Sequence, residues 1–378
     1  MWKVQLFKLN FDEREVAAVA DVVRGGWLTM GEQTQGFEAQ FADSLGAEVR
    51  AIAVSNGTAA LHLALLALDV GPGDEVIVPS LTFVADINTV LLTDARPVLA
   101  DCVSLDDWNL DPGEIARKIT PRTKAVMIVH YAGYPCAMDE IVAVCQRHGV
   151  ALIEDCAHAP GARYRGQAVG TFGDCGCFSF FTNKNLSVGE GGMVTTRSAA
   201  LEEKLRLLRS HGMTSLTLDR HKGRAISYDV RRAGLNYRID EMRAALGVVQ
   251  LSKLDQANAQ RRRIVERYIG AFADIEGLGI PFRAAADVEP AYHIFPVLLP
   301  SGCDRAVVIE RLRQAGVQSS IHYPAFQEFS AFADMGLDPT PIANEISARE
   351  LTLPLYPTMT DEEVAIVIDA FRQALGRG

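Results

Sequence analysis

Short apolar runs alternate with helical patterns from residue 51 onward, and this alternation constrains the fold more than any other feature of the sequence. Ala51–Val54 and Glu75–Val78 are the first two apolar runs, and stretches with helical spacing follow them at Thr58–Leu68 and Phe83–Leu92. Parallel strands need helical crossovers, and the helices then cover both faces of the sheet. The pattern therefore predicts an α/β fold with a large, mostly parallel sheet.

The same alternation continues along the chain and is framed by further helices. Two amphipathic helices are predicted before it, at Asp12–Arg24 and Phe37–Leu45. Further strands are predicted at Pro97–Asp101, Ala125–His130 and Ala151–Glu154, and a closing pair at Cys175–Phe180 and Met193–Thr196. The remaining helices are predicted at Pro112–Ile119, Met138–His148 and Leu201–Ser210, and from Ile239 to about Phe272.

The chain changes character near residue 255. Strands are predicted at Tyr292–Leu299 and Gln318–Tyr323, and helices at Asp304–Ala315 and Asp361–Leu375. We therefore expect residues 1–255 to form a large domain that includes the N-terminal helices. Residues 256–378 are expected to form a smaller α+β C-terminal domain.

Composition excludes several classes of protein. The 378 residues are 48% hydrophobic, which is enough for a packed core and excludes a disordered chain. A net charge of −10 argues against a nucleic-acid partner, because nonspecific binding needs basic surfaces. No apolar run is long enough to span a membrane, and Met1–Asn10 does not have the pattern of a signal peptide.

Cysteine usage favours a reduced compartment. The seven cysteines are odd in number, and the only close pair is Cys175 and Cys177. No second Cys/His pair stands at ligand spacing, so we expect no bound metal. Scattered, unpaired thiols are typical of a cytoplasmic protein.

The first loop of interest is Ser55–Ala60, which connects a predicted strand to a helix. Doubly wound sheets bind ligands at the carboxyl ends of their strands. The free N–H groups of a helix N-terminus suit a phosphate there. The alternative is an ordinary helix cap made with Gly57 and Thr58. The dinucleotide fingerprint and the P-loop Gly-Lys pair are both missing from the sequence.

Two further loops carry ionisable side chains at the same predicted edge. Asp155 ends a strand, and a buried carboxylate there needs a cation, either a protonated ring nitrogen or an arginine, unless it caps a loop. Lys184 stands between an apolar strand and the loop Gly189–Gly192. A desolvated lysine is a nucleophilic amine, whereas the alternative is an ordinary surface lysine.

The three features are complementary when they are taken together. A phosphate cradle, an acid for a ring nitrogen and a Schiff-base lysine are the parts that hold pyridoxal 5′-phosphate (PLP). The acid keeps the pyridine nitrogen protonated, and the lysine can move protons during the reaction. The sequence therefore predicts a PLP site.

Several motifs occur in a characteristic order along the chain. They are Ser55–Ala60, Gly71–Pro79, Ile153–Asp155, Phe178–Lys184 with Gly189–Gly192, Arg209–Gly212 and Asn236–Asp240. With these motifs the chain closely resembles the DegT/DnrJ/EryC1/StrS aminotransferases over about residues 10–375. The resemblance implies PLP fold-type I, which is aspartate aminotransferase-like.

The resemblance also implies a reaction. The expected enzyme moves an amino group from L-glutamate to a keto-sugar, with a nucleotide-linked 3- or 4-keto-(deoxy)sugar as the acceptor. Amination of a non-nucleotide ketone, such as a keto-cyclitol or a keto acid sugar, is the first alternative. A noncatalytic PLP-binding regulator is the second. Retention of the lysine favours transamination.

The family's cofactor residues carry over by position. Lys184 corresponds to the Schiff-base lysine, and Asp155 to the partner of the pyridinium. Thr58, Ala59 and Ser179 correspond to phosphate-binding residues.

Three more residues carry over beside the cofactor. Asn236 corresponds to an asparagine that reaches the phosphate from the neighbouring subunit, which implies a homodimer with shared active sites. Phe83 is expected to stack on the cofactor, although it could also belong to the core. His158 is expected beside the 3′-oxygen, with a purely structural histidine as the alternative.

Four residues are expected near the substrate by the same resemblance. Trp27 corresponds to the sugar pocket or to the dimer interface, and His322 and Tyr323 to a His-Tyr region near the substrate. Asp86 stands where many members have a small or hydroxyl residue, and it could contact substrate or cap a helix turn. The basic stretch 220–224 is expected to be solvated or to meet a diphosphate.

Overall fold

The computed structural model describes residues 2–215, 222–223, 226–282 and 287–376. Of the basic stretch 220–224, only Lys222 and Gly223 are among the described residues, so its predicted role lies outside them. Eleven α-helices are described: α1 (Glu13–Gly25), α2 (Glu32–Leu45), α3 (Gly57–Ala67), α4 (Ala85–Leu91), α5 (Pro112–Lys118), α6 (Met138–His148), α7 (Ala199–Arg209), α8 (Glu241–Phe272), α9 (Arg305–Ala315), α10 (Pro341–Arg349) and α11 (Asp361–Ala374).

The strands fall into one large sheet and two small ones. The large sheet contains β1 (Arg50–Val54), β2 (Glu75–Pro79), β3 (Arg96–Ala100), β4 (Thr123–Val129), β5 (Ala151–Asp155), β8 (Cys175–Ser179) and β9 (Gly192–Thr196). The small sheets contain β6 (Arg163–Tyr164), β7 (Gln167–Ala168) and β10 (Val288–Glu289), and separately β11 (Phe295–Leu298) and β12 (Glu350–Leu353).

The large sheet confirms the predicted α/β fold. Its seven strands lie in the order β1-β9-β8-β5-β4-β2-β3. Strands β8, β5, β4, β2 and β3 pair in parallel, and β9 is antiparallel to both of its neighbours. Because β9 lies between β1 and β8, those two strands run in the same direction. The carboxyl ends of β1, β2, β4, β5 and β8 therefore meet at one edge of the sheet.

Alternating side chains bury both faces of this sheet. Val76 and Val78 of β2 pack on the side of α3, α4 and α7, whereas Ile77 packs on the side of α5 and α6. A strand directs successive side chains to opposite faces, so a fully apolar strand needs cover on both. Near β1 and β8 the second face is covered by α2 and α8, where Phe37 and Phe41 contact Phe178 and Phe180.

The C-terminal part packs around the antiparallel pair β11 and β12. Helices α9 and α11 and the second half of α8 cover it, with Tyr268 and Phe272 in its core. Helix α8 passes through residue 255 without a break, so one helix contributes to both hydrophobic regions. The division of the chain at residue 255 stays a prediction.

One predicted strand is wrong, and helix α10 and the strands β6, β7, β10 and β12 were not foreseen. Residues 318–323 form only an isolated bridge between Ser320 and Thr352, instead of a strand. Two residues later the backbone N–H of His322 donates to the Glu350 side chain at 2.8 Å, so it is not available for a ladder. The strand that pairs with β11 is β12, which directly follows α10.

Candidate active site

A cavity of about 590 Å³ opens at the carboxyl edge of the large sheet. Turns after β1, β2, β5 and β8 converge on it because those strands end at the same edge. Its opposite wall comes from the segment that carries His322. Nine of the predicted site residues line it: Thr58, Ala59, Phe83, Asp155, His158, Ser179, Lys184, His322 and Tyr323.

Lys184 lies in the turn that follows β8, and its side chain lines the cavity. Its backbone N–H donates to the carbonyl of Phe181 at 2.9 Å, which holds the turn. Burial lowers the pKa of the Lys184 amine to about 8, although the nearby Asp155 raises it in part. A larger fraction of the side chain is therefore the free amine at neutral pH, which is the nucleophilic form.

Asp155 and Glu154 are neighbours at the end of β5 but have different surroundings. The Asp155 carboxyl lines the cavity and accepts the N–H of Ala157 at 2.8 Å. The positive charge of Lys184 favours its ionised form. Burial raises its pKa. Glu154 points to the opposite face of the sheet, where it accepts backbone N–H groups and pairs with His130 at 3.2 Å. Strand alternation therefore places Asp155 at the cavity and Glu154 on the opposite face, where it stabilises the fold.

The N-terminus of α3 forms one end of the cavity. Asn56 caps the helix and accepts the N–H of Ala59 at 2.8 Å, so that amide is engaged in this conformation. Helix geometry leaves the amides of Gly57 and Thr58 without intrahelical acceptors. A Cβ at Gly57 would lie 2.8 Å from Cβ of Ser179, so glycine lets the helix approach β8 closely. The hydroxyls of Thr58 and Ser179 and the N-terminus of α3 thus line the same cavity, an arrangement that suits an anion.

Phe83 and His158 occupy the remaining cavity wall on this side. The Phe83 side chain is 54% exposed, which excludes a core role. Its ring centre lies 5.7 Å from that of Tyr323. His158 is buried, and both ring nitrogens are engaged: Nδ1 accepts the N–H of Ala132 at 3.3 Å, and Nε2 lies 2.9 Å from the Tyr323 hydroxyl. Burial holds the pKa of His158 well below its usual value, so the ring is neutral.

The opposite wall rests on a buried acid that the sequence analysis missed. Glu350 accepts the backbone N–H of His322 and the hydroxyl of Thr352, and that hydroxyl lies 2.9 Å from His322 Nδ1. Burial raises the pKa of Glu350 to about 8 and lowers that of His322 to about 4. The tyrosine hydroxyl of Tyr131 also donates to the carbonyl of His322. The sequence signal that could have identified Glu350 is an acid at the start of a short, mostly apolar run, Glu350–Leu353.

We call the two walls the sheet side and the loop side. The sheet side consists of Thr58, Phe83, Asp155, His158, Ser179 and Lys184, each at the end of a strand or in the segment that follows one. The loop side consists of His322 and Tyr323 with the underlying Glu350 and Thr352. The hydrogen bond between Tyr323 and His158 joins the two walls.

Three predicted site residues are not among those that line the cavity. Asp86 has no exposed surface and lies next to Asp155, where Thr82 donates to it at 2.7 Å. Trp27 is half-buried, and its indole packs so closely on Gly31 that a Cβ there would lie 2.6 Å from Nε1. Asn236 is exposed beside Ser210. Its predicted role in a neighbouring subunit is compatible with this position and stays a prediction.

The comparisons with known proteins agree with this site. The profile of the DegT/DnrJ/EryC1/StrS aminotransferase family matches residues 10–372. The chain belongs to this family. It is 38% identical over 371 residues to the spore coat polysaccharide biosynthesis protein SpsC of Bacillus subtilis, covering 95% of this chain and 94% of SpsC.

Solved structures show the same similarity in three dimensions. The aminotransferase TlmJ of Streptoalloteichus hindustanus superposes with a TM-score of 0.91 at 35% identity, covering 100% of this chain and 99% of TlmJ. Spr1654 of Streptococcus pneumoniae, in its PLP form, superposes with a TM-score of 0.89 at 29% identity, covering 97% of each chain. The family's enzymes are PLP-dependent aminotransferases, so this chain is one as well.

The residues present fit this cofactor. The helix N-terminus and the hydroxyls of Thr58 and Ser179 provide donors for a phosphate, and Lys184 provides an amine of lowered pKa for an aldehyde. Asp155 provides a carboxylate for a ring nitrogen. Bound PLP supplies the electron sink that transamination needs. Among the described residues, none of the helices has the length and apolar character needed to cross a membrane.

Proposed function

We propose that this aminotransferase moves an amino group from L-glutamate to a keto-sugar, and that its acceptor is a nucleotide-linked 3- or 4-keto-(deoxy)sugar. The observation that carries the proposal is Lys184, an amine of lowered pKa beside Asp155 in a cavity of about 590 Å³. The name of the relative SpsC, which refers to polysaccharide biosynthesis, supports a sugar acceptor.

Lys184 is the residue that binds the cofactor and moves protons. Its side chain is the one amine among the residues that line the cavity, and the pKa of about 8 lets it both accept and return a proton near neutral pH. Asp155 orients the ring of the cofactor by holding the ring nitrogen. The Ala157 N–H at 2.8 Å fixes the rotation of the Asp155 carboxyl.

The remaining predicted residues hold the cofactor and orient the substrate. Thr58, Ala59 and Ser179 bind the phosphate end, and Phe83 covers the ring. His158 is neutral and forms a hydrogen bond with the Tyr323 hydroxyl, so the two side chains present fixed hydrogen-bonding groups to a ligand. Trp27, Asp86, His322 and Tyr323 are the proposed substrate residues, although the buried position of Asp86 favours an indirect role.

The proposed assembly is a homodimer with shared active sites. Asn236 supports it because this side chain is exposed and lies outside its own chain's cavity. Sedimentation velocity should give a dimer. Asn236→Ala should weaken PLP retention without dissociating the dimer. A monomer that retains PLP as tightly as the dimer would overturn this part of the proposal.

The first experiment is the visible absorbance spectrum of the PLP-loaded protein before and after addition of L-glutamate. Loss of the band of lysine-bound PLP and growth of the pyridoxamine 5′-phosphate band would establish the donor. A spectrum that glutamate leaves unchanged would reject glutamate. A Lys184→Ala variant whose spectrum matches that of the parent would reject the lysine assignment altogether.

The acceptor is tested with the aminated protein. Nucleotide-linked 3- and 4-keto-sugars, a keto-inositol and a keto acid sugar are added separately, and return of the PLP band is followed. Faster return with a nucleotide-linked sugar supports the proposal, and preference for the keto-inositol or the keto acid sugar contradicts it. Return with none of them, after a normal reaction with glutamate, would contradict a sugar acceptor of these classes, whereas bound PLP that exchanges no amino group with any donor would favour a noncatalytic PLP-binding regulator.

A further inference from the structure

A second carboxyl group lies directly beneath Asp155. Asp86, in the first turn of α4, has no exposed surface, and its carboxyl is within hydrogen-bonding distance of the Asp155 carboxyl. The hydroxyl of Thr82 donates to Asp86 Oδ2 at 2.7 Å. Two acids therefore share one buried site next to the cavity.

The hydrogen bonds of this pair leave one oxygen without a donor. Asp155 Oδ1 accepts the N–H of Ala157 at 2.8 Å, and Asp86 Oδ2 accepts the Thr82 hydroxyl. Asp86 Oδ1 is buried, and no donor to it is found among the described residues. A buried, unsatisfied carboxylate oxygen is costly. A proton between the two carboxyls removes this cost, because one acid then donates to the other.

The surrounding charges decide which acid keeps the proton. The cation of Lys184 favours the ionised form of Asp155. Burial and the neighbouring Asp155 raise the pKa of Asp86 well above its usual value. The other titratable groups that face Asp86 are Tyr323 and Cys177, and burial raises the pKa of both, so they are neutral. Two adjacent buried negative charges would repel strongly.

We propose that Asp86 is a positioning residue that keeps its proton and donates a hydrogen bond to Asp155, so that the pair presents a single, oriented negative charge to the ring nitrogen of the cofactor. The hydrogen bond spreads the charge of Asp155 and fixes its carboxyl plane together with the Ala157 N–H. Asp155 then attracts the proton of the ring nitrogen less strongly. The inference needs PLP in the site but does not depend on glutamate or on a sugar acceptor.

Infrared difference spectroscopy of the PLP-loaded protein at pH 7 tests where the proton resides. Subtracting the spectrum of Asp86→Asn from that of the parent should reveal one neutral-carboxyl band that only the parent has. Glu350 is a second fully buried acid, with a pKa raised to about 8, and it contributes a band of its own. Glu350→Gln is therefore the matched control, which should remove that other band and leave the Asp86 band.

The Asp155→Asn variant distinguishes which of the two carboxyls carries the proton. If Asp86 donates to a carboxylate, replacing the acceptor by a neutral amide should move the Asp86 band without removing it. Loss of the band in Asp155→Asn would mean that Asp155 carries the proton, and this would overturn the assignment. An unchanged neutral-carboxyl spectrum in Asp86→Asn would mean that Asp86 is ionised, with the same consequence.

A pH titration of the visible band of bound PLP provides a second readout. Asp86→Asn keeps a neutral donor to Asp155, whereas Asp86→Leu has similar volume and no donor. Without the donor, the charge of Asp155 is more concentrated and stabilises nearby cations more strongly. The apparent pKa of the band should therefore rise by about 0.5 to 1 in the leucine variant and stay near the parent value in the asparagine variant. Equal shifts in both variants would contradict the proposal.

Discussion

The two walls of the cavity are built in different ways. On the sheet side, Asp155 and Lys184 follow strands β5 and β8, so the backbone ladder of the sheet fixes their positions. On the loop side, His322 is fixed mainly by other side chains: its N–H donates to the Glu350 carboxyl, and its carbonyl accepts the Tyr131 hydroxyl. Substitutions on the sheet side should therefore change chemistry, whereas those on the loop side should first change stability.

The largest effect is expected for Lys184→Ala. Removal of the amine would remove both the proposed bond to the cofactor and the proposed proton-transfer group, so transamination should fall by about 10⁴-fold or more. Lys204→Ala is the matched control, because Lys204 lies on α7 and pairs with Asp69 at the surface. Rates are measured with glutamate in single-turnover experiments. Comparable losses in the two variants would show that the effect is not specific to the sheet side.

Asp155→Asn should lower the rate by about 10²-fold, because an amide cannot stabilise a protonated ring nitrogen as a carboxylate does. The neighbouring acid Glu154 provides the comparison with Asp155. Glu154→Gln weakens the hydrogen bond with His130 and three hydrogen bonds from backbone N–H groups, so it should cost about 2 kcal/mol of unfolding free energy. Urea unfolding and single-turnover rates are measured for both. If each variant loses mainly what is expected of the other, the assignment by strand alternation is wrong.

This asymmetry also explains what the sequence could predict. The sheet, its helices and the residues at its carboxyl edge follow from local periodicity, because each strand contains a short apolar run. Asp155 and Lys184 could be selected from their positions after such runs. The fixed edge at which parallel strands end then brings them together without any further information.

The loop side does not follow from local patterns. The stretch 318–323 has the composition of a strand, yet the Glu350 side chain takes the N–H of His322 that a ladder would use. Glu350 lies 28 residues further along the chain, so no short window contains both partners. His322 and Tyr323 were placed near the substrate only by family resemblance. Side-chain networks between distant residues are what the sequence left undetermined.

Stability should respond to pH on the loop side through Glu350. Its pKa is raised from the model-peptide range, near 4.3, to about 8 in the folded protein. The folded state therefore holds this proton more tightly than the unfolded state does. The resulting stabilisation is full below about pH 4 and is lost as the pH rises to about 8.

Glu350→Gln isolates that dependence, because the amide mimics the protonated acid at every pH. Unfolding free energies are measured in urea at pH 5, 6.5 and 8. The stability of the variant relative to the parent should increase over this series, by about 2 kcal/mol or more. Glu362→Gln, at an exposed position of α11, should leave the difference constant. A parallel response of parent and Glu350→Gln would mean that Glu350 is ionised throughout.

The smallest effect is expected where the two walls meet. Tyr323→Phe removes the hydroxyl that lies 2.9 Å from His158 Nε2 but keeps the ring that faces Phe83. His158 still accepts the Ala132 N–H, so the histidine should stay in place and the sheet side should keep its chemistry. The half-reaction with glutamate should slow by no more than about tenfold, the value of one ordinary hydrogen bond. A loss as large as that of Asp155→Asn would mean that the walls act as one unit, and that their different construction has no functional counterpart.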